Sequence, residues 1–279
     1  MAKNKKDVIV ILWDYTESCE LALLHGIQIA KEVNNHVMLA RFIEKPGFFS
    51  GKATRERMIA EEKEKLKLIG QGVLQEHQIN PYITVELGTA GSNLVRLVRD
   101  ANANLVICGK SYHVSEKVVF KAMDLVVRLK GLDIPFIVAQ DKPAHNYYKE
   151  IVVPLDHDKT FKETLHWVVY LSKYYNCNIN IIKPFIEDES VKKDMDNNIY
   201  FTKKTLDKKN VIYGIKTAKK NKEFQDEVLK FAENIDSDLI VMMVKKYQAF
   251  IKSKPDYEDK IPIMVVNRNG AIIKYGGFR

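Results

Sequence analysis

Hydrophobic residues along this chain fall into short, near-continuous runs separated by longer stretches of helical period. The runs Val8–Leu12, Val37–Ile43, Leu105–Cys108 and Phe136–Val138 are apolar and rich in β-branched residues. Continuous runs of that length suit strands covered on both faces of a sheet. Between them, Leu21, Leu24, Ile27 and Val33 lie close to an i, i+3 stripe and predict a first helix. A long second helix is predicted over roughly Ala53–His77. A third begins near Ser92 and Asn93, residues able to cap the free N–H groups of a first turn. A fourth covers Ser115–Leu129, with Val118, Ala122, Val126 and Leu129 on one face. Strand and helix alternating four times before a fifth strand predict a parallel sheet with helices on both sides.

The whole pattern then occurs again. Val8–Asp14 matches Glu150–Asp156 at an offset of 142, and Val37–Glu44 matches Asn180–Glu187 at 143. Asn102–Gly109 matches Asp236–Met243 at 134, and Ile134–Gln140 matches Ile261–Asn267 at 127. The blocks keep their order while the offsets drift, which places the length changes in the connections. Two tandem domains follow, 1–145 and 146–279, with a linker around Asp141–Asn146. In the second copy Phe161, Leu165, Val168 and Leu171 predict the first helix. Val191, Met195 and Ile199 predict a poorer second one, Asn221 starts a third, and the fourth is expected to be short or partly irregular. The tail from Ala271 has an apolar start and no assigned role.

Composition narrows the class. The content is 46% hydrophobic and 29% charged, ordinary for a globular protein with a real core. No apolar run approaches the ~18 residues of a membrane span. The basic start Met1–Lys6 lacks the apolar region and cleavage site of a signal peptide. Cys19, Cys108 and Cys177 are too far apart for a metal or redox motif, and a reducing cytoplasm is the expected location. The net charge is +8, but residues 1–149 carry 21 Lys+Arg and 17 Asp+Glu, and residues 150–279 carry 23 and 19. Each half is therefore +4 with its charges interleaved, without the basic arm or stripe of a nucleic-acid binder.

Candidate chemistry gathers at the strand ends. Ligands of open α/β sheets bind beyond the carboxyl ends of the strands, where the strand order reverses. Asp14 and Asp156 each end a first strand there, and a carboxylate so placed either accepts a hydrogen bond from a ligand or caps its own turn. Gly109-Lys110-Ser111 imitates the end of a phosphate-binding P-loop, but Asn104 stands where that motif needs glycine. Asp156-His157-Asp158 are adjacent residues that seldom converge on one metal ion. Nucleophile-elbow, zinc-helix and dinucleotide fingerprints are missing, so an enzyme is not expected.

A first strand ending in Asp14, a second ending in Phe42-Ile43-Glu44, Leu105–Gly109 before a loop and helix, and Ile-Pro at 134–135 and 261–262 together resemble universal stress proteins. The resemblance spans nearly both halves, so the chain is similar to a tandem member. It implies an α/β fold of two doubly wound five-stranded parallel sheets, strand order 3-2-1-4-5, whose fifth strands pair antiparallel as an intrachain pseudo-dimer, with homodimerisation open. It also implies an adenine nucleotide, ATP or AMP, against Asp14, Phe42, Cys108 and Gly109, with Lys110 and Ser111 beside it and Asp156 as the second-copy counterpart. The family's Gly-x2-Gly-x9-Gly-Ser/Thr phosphate loop departs after Gly109: Tyr112, Ala122 and Met123 occupy its other positions, and Met243 replaces the glycine in the second copy. The expected role is thus a cytosolic stress-response or regulatory binding protein with weak or lost nucleotide binding. A protein or small molecule is its expected partner, with no nucleic acid, membrane or metal. The alternative is an ATP- or AMP-binding protein using the first cleft, with slow hydrolysis. An enzyme of the wider nucleotide-binding α/β class is a third reading, opposed by the missing Ser-Gly-Gly loop of pyrophosphatase-type members.

Overall fold

The computed structural model of the protein describes residues 7–47, 50–129, 131–132, 134–155, 157–158, 161–254 and 261–267. The chain divides into two compact units that meet in sequence between Lys142 and Pro143.

The first unit runs β1 (Val8–Leu12), α1 (Glu17–Val33), β2 (His36–Ile43), α2 (Lys52–His77), β3 (Tyr82–Leu87), α3 (Ala90–Asp100) and β4 (Ala103–Cys108). A small antiparallel hairpin follows, β5 (Ser111–His113) and β6 (Val119–Lys121), then α4 (Ala122–Arg128) and β7 (Phe136–Val138). The long strands pair in parallel in the order β3-β2-β1-β4-β7, with Val10 opposite both Met38 and Val106. The order reverses between β1 and β4, and the carboxyl ends of these two strands are the switch point where open α/β sheets hold ligands. All five residues of β1 are buried, as a strand covered on both faces requires. Burying each such side chain stabilises the fold by about 1.5–3 kcal/mol.

The second unit runs β8 (Glu150–Pro154), α5 (Lys162–Tyr175), β9 (Asn178–Lys183), α6 (Glu189–Lys208), β10 (Tyr213–Thr217), α7 (Phe224–Asn234), β11 (Leu239–Met243), α8 (Val244–Ser253) and β12 (Ile263–Val266). Its parallel order, β10-β9-β8-β11-β12, matches that of the first unit strand for strand. Glu150 fixes the register of β8 and β9, because its two oxygens accept from the amides of Asn178 (2.6 Å) and Asn180 (2.7 Å).

Several elements depart from the periodicity. The residues that α1 buries are Cys19, Ala22, Leu23, His25, Gly26, Ile27, Ile29, Ala30 and Val33, whereas Leu21 and Leu24 are only half-buried. Small residues set this face: a Cβ on Gly26 would lie 2.4 Å from Ile11 Cδ1, so the helix sits directly on the sheet. α3 starts at Ala90 after Thr89, and Asn93 reaches back from its first turn to the Leu87 carbonyl (2.9 Å). α7 starts at Phe224, because Asn221 takes a left-handed turn (φ 61°) instead of capping it. In α6 Met195 is buried and Val191 and Ile199 are half-buried, with Thr202 and Leu206 completing the face. The largest change is at Ser115–Lys121, where the predicted fourth helix is replaced by the hairpin and only Ala122–Arg128 is helical. The second copy reverses this, since α8 is a regular helix burying Val244, Tyr247 and Phe250.

Candidate functional site

The turn after β1 begins with Asp14, which is 7% exposed. One carboxylate oxygen accepts from the backbone N–H (3.2 Å) and hydroxyl (2.6 Å) of Thr16, and the other accepts from the backbone N–H of His113 (2.8 Å). Tyr15 between them takes a left-handed backbone (φ 65°), a strained state for a tyrosine that these bonds hold in place. Asp14 therefore closes its own turn and ties the β5 strand to it.

Phe42, fully buried near the end of β2, donates its backbone N–H to the Tyr112 hydroxyl at 2.7 Å. The two rings meet edge to face at 6.1 Å. Tyr112 is itself wholly buried, and burial, partly offset by Arg41, pushes its hydroxyl up to about 12. Arg41 fixes the hairpin from below: its guanidinium donates to the carbonyls of His113 (2.6 Å) and Val114 (3.1 Å) and to Glu62 on α2 (3.1 Å). It also lies over the Tyr15 ring at 5.7 Å. Burial opposes charge on Glu62, but hydrogen bonds from Lys65, Arg41 and Tyr15 outweigh it and hold the carboxyl below its usual range.

Cys108 ends β4 fully buried, with its thiol donating to the Gly109 carbonyl (2.9 Å). Burial, reinforced by the Asp14 charge, pushes this thiol well above the ordinary range, which leaves it inert. Gly109 is pressed against α1, where a Cβ would lie 1.8 Å from Ser18 Oγ and 2.8 Å from the Ser18 carbonyl oxygen. Ser18 Oγ in turn accepts the N–H of Lys110 (3.1 Å). The Lys110 side chain is exposed, and Ser111 Oγ lies 3.2 Å from His113 Nε2.

The tertiary structure thus places Asp14, Phe42, Cys108 and Gly109 at or just beyond the carboxyl ends of the neighbouring strands β1, β2 and β4, and Lys110 and Ser111 lead on into β5. It also adds Arg41, Glu62 and Ser18 and gives Tyr112 a partner: Arg41 and Tyr112 bond β2 to the hairpin, Glu62 holds Arg41, and Ser18 holds the Lys110 N–H. One signal for them was available, a charged Arg41 inside an otherwise apolar strand.

In the second unit the corresponding ladder is kept, with Leu155 N–H donating to the Ile182 carbonyl (2.8 Å) as Trp13 N–H donates to Ala40 (2.9 Å). Asp156 lies outside the described residues, as does the tail after Asn267. Met243 passes directly into α8 without a hairpin. The cleft between the ends of β8 and β11 holds a cavity of about 220 Å³. Among the described residues no group of three or more metal-ligating side chains converges, and no helix is long and apolar enough to cross a membrane.

Two units, each with a parallel sheet whose switch point lies between its first and fourth strands, define a tandem doubly wound α/β protein, and its fold is that of the universal stress proteins. A universal stress protein from Archaeoglobus fulgidus DSM 4304 superposes with a TM-score of 0.70 at 11% identity, over 95% of this chain and 100% of that one. A putative universal stress protein from Pseudomonas aeruginosa UCBPP-PA14 gives 0.59 at 11% identity, over 96% and 95%. Single-domain proteins match about half the chain, among them a universal stress protein from Archaeoglobus fulgidus in complex with dAMP (TM-score 0.37, 12% identity, 43% of this chain and 98% of that one). No protein-family model matches the sequence, and no curated protein matches it.

Proposed function

We propose that this chain is a universal stress protein-like regulatory binding protein of the cytoplasm, without catalytic activity, whose first cleft binds a nucleotide weakly or not at all. The observation that carries this reading is the bond between the Tyr112 hydroxyl and the Phe42 N–H, deep in the cleft where the resemblance implies an adenine. A base entering there would have to expel a fully buried tyrosine and leave the hairpin bonds of Asp14 and Arg41 unmade. Each buried polar group left without a partner costs about 1–3 kcal/mol. Two such losses weaken binding by about thirtyfold or more. The partner is then a protein or a small molecule held elsewhere, and stress response is the physiological setting that the fold suggests.

The alternative, ATP or AMP in the first cleft, draws on the gathering of Asp14, Phe42, Cys108 and Gly109 at one place. Calorimetry with ATP, AMP and adenosine decides between them, using wild type, Asp14→Ala and Tyr112→Ala. Wild type is expected to show no resolved heat or only weak binding that fails to separate ATP from adenosine. Tyr112→Ala is expected to gain adenosine affinity if its melting curve remains cooperative. Tight magnesium-dependent ATP binding by wild type would overturn the reading.

A further inference from the structure

The third strand of each unit lies at an end of its sheet, and the two are finished differently. In the first unit β3 borders β2 alone, and the Gly88 N–H donates to the Ile43 carbonyl (2.8 Å). Backbone groups alternate from side to side along a strand, so Thr84 and Glu86 face β2 while Ile83, Val85 and Leu87 face outward. That open side is blunted. Pro81, just before the strand, has no N–H, and the Leu87 carbonyl accepts from the Asn93 side chain (2.9 Å). Its charge is balanced too, because Arg96 pairs with Glu86 (2.6 Å). In the second unit β10 borders β9 alone. The Ile212 carbonyl accepts from the Ile179 N–H (3.0 Å), and the Ala218 N–H donates to the Lys183 carbonyl (2.8 Å). Gly214 and Lys216 therefore face β9, and Tyr213, Ile215 and Thr217 turn their N–H and C=O groups outward. Among the described residues nothing bonds those outward groups. Gly214, Lys216 and Thr217 are exposed, as is Ile212 just before the strand.

Lysine gathers around this strand in a way that the half-chain totals conceal. From Lys203 to Lys222 the sequence holds eight lysines and a single acid, Asp207. Lys208 and Lys209 stand just before β10, Lys216 is within it, and Lys219, Lys220 and Lys222 follow. The neighbouring acids are engaged: Asp207 by the Tyr213 hydroxyl (2.8 Å), Glu187 by Lys220, Glu223 by Lys254 (3.1 Å) and Glu227 by the Lys219 N–H (3.1 Å). Lys216 lies over the Phe231 ring (4.4 Å), whereas Lys208, Lys209, Lys219 and Lys222 enter no ion pair among the described residues. We infer that β10 is a docking edge for an acidic, extended segment of a protein partner, which joins the sheet as a further strand. The backbone decides the form, because an extended polypeptide supplies N–H and C=O groups at the spacing that 213, 215 and 217 present. A nucleic acid would satisfy the lysines and leave those groups unpaired. Charge decides the composition. Two copies of this chain pairing here would set the same lysines against each other, which is how edge lysines keep like strands apart. An acidic strand turns that repulsion into attraction at both ends of β10. The inference rests on the binding-protein reading and deepens it by naming the partner's chemistry and the element that receives it.

The probe is a fluorescein-labelled octapeptide of alternating glutamate and valine. One control replaces its glutamates with glutamine, and a second carries N-methyl groups on its valines, which removes the donors along one side of the peptide. Wild type is expected to bind the acidic peptide saturably, one per chain by fluorescence anisotropy, with slower amide exchange at Ile215 and Thr217. Thr217→Pro removes an outward N–H and leaves the bonds to β9 untouched, and it is expected to weaken binding about tenfold. Lys208→Gln combined with Lys219→Gln changes two exposed side chains. It is expected to weaken binding about fivefold and to flatten its salt dependence, and it keeps the test decisive should the proline variant misfold. No saturable binding, equal binding of either control peptide, or oligothymidylate binding as tight as that of the acidic peptide would each overturn the inference. So would a wild-type dimer in sedimentation that Thr217→Pro dissociates, since the edge would then belong to a second copy. Failure of the first-cleft reading is separable, because it shows as magnesium-dependent ATP binding that responds to Asp14→Ala and not to the β10 variants.

Discussion

Gly109 shows how one residue can satisfy a motif and serve another purpose. In the resemblance it is the first glycine of a phosphate loop; in the folded chain it is the point where β4 meets the start of α1. Its backbone lies outside the left-handed region, so space and not conformational freedom demands glycine here. Gly109→Ala would drive a Cβ into Ser18, and the expected cost is about 1–3 kcal/mol, read from the urea midpoint. Adding Ser18→Ala is expected to recover only part of this, because the Ser18 Cβ (2.6 Å) and carbonyl oxygen (2.8 Å) still crowd the new methyl. Full recovery would mean that the hydroxyl alone sets the constraint. Asp14 teaches the same lesson with a carboxylate: both of its oxygens are engaged by Thr16 and His113.

Among the elements, the β5–β6 hairpin departs furthest from expectation and most affects function. Val118, Ala122, Val126 and Leu129 have a helical spacing, yet helix forms only from Ala122 onward. Upstream, the chain is held by bonds to partners 70 to 99 residues away: Phe42, Arg41 and Asp14. Helix formation over Ser111–Lys121 would give back only local bonds and leave those buried groups unpaired, an unfavourable exchange. Tyr112→Phe isolates one member of the set. The ring still fills the cleft, while the Phe42 N–H loses its acceptor. A stability loss of about 1–3 kcal/mol and faster amide exchange at Phe42 are expected. Unchanged exchange at Phe42 would show that the hydroxyl does not anchor the hairpin.

Across the whole molecule, two units with one strand order have diverged at the same place: Tyr112 lies buried at the strand ends of the first, and a cavity of mixed lining lies at those of the second. The net charge of +8 is spread evenly over the sequence halves, and basic residues pair with acids on helix surfaces such as Lys52–Glu56 and Arg57–Glu61. Fluorescence anisotropy with labelled duplex DNA at physiological salt is therefore expected to show no saturable, sequence-selective binding. Selective binding that weakens steeply with added salt would overturn this expectation.

The sequence by itself determined the duplication, the alternation of strand and helix, and the parallel sheet. These rest on the order of apolar runs and repeated blocks along the chain, which a folded chain must bury. It also placed Asp14, Phe42, Cys108 and Gly109 at strand ends, because a strand's end is written in its own residues. The resemblance supplied the strand order that the pairings then displayed. Only the tertiary structure decided what those ends face. Tyr112 and Phe42 meet across 70 residues, Ser18 and Lys110 across 92, and the second cavity is assembled from four separate segments of one unit. Periodicity records which residues share a face of one element. Whether the space above that face is filled by another segment or left open depends on long-range packing, and no local pattern encodes it.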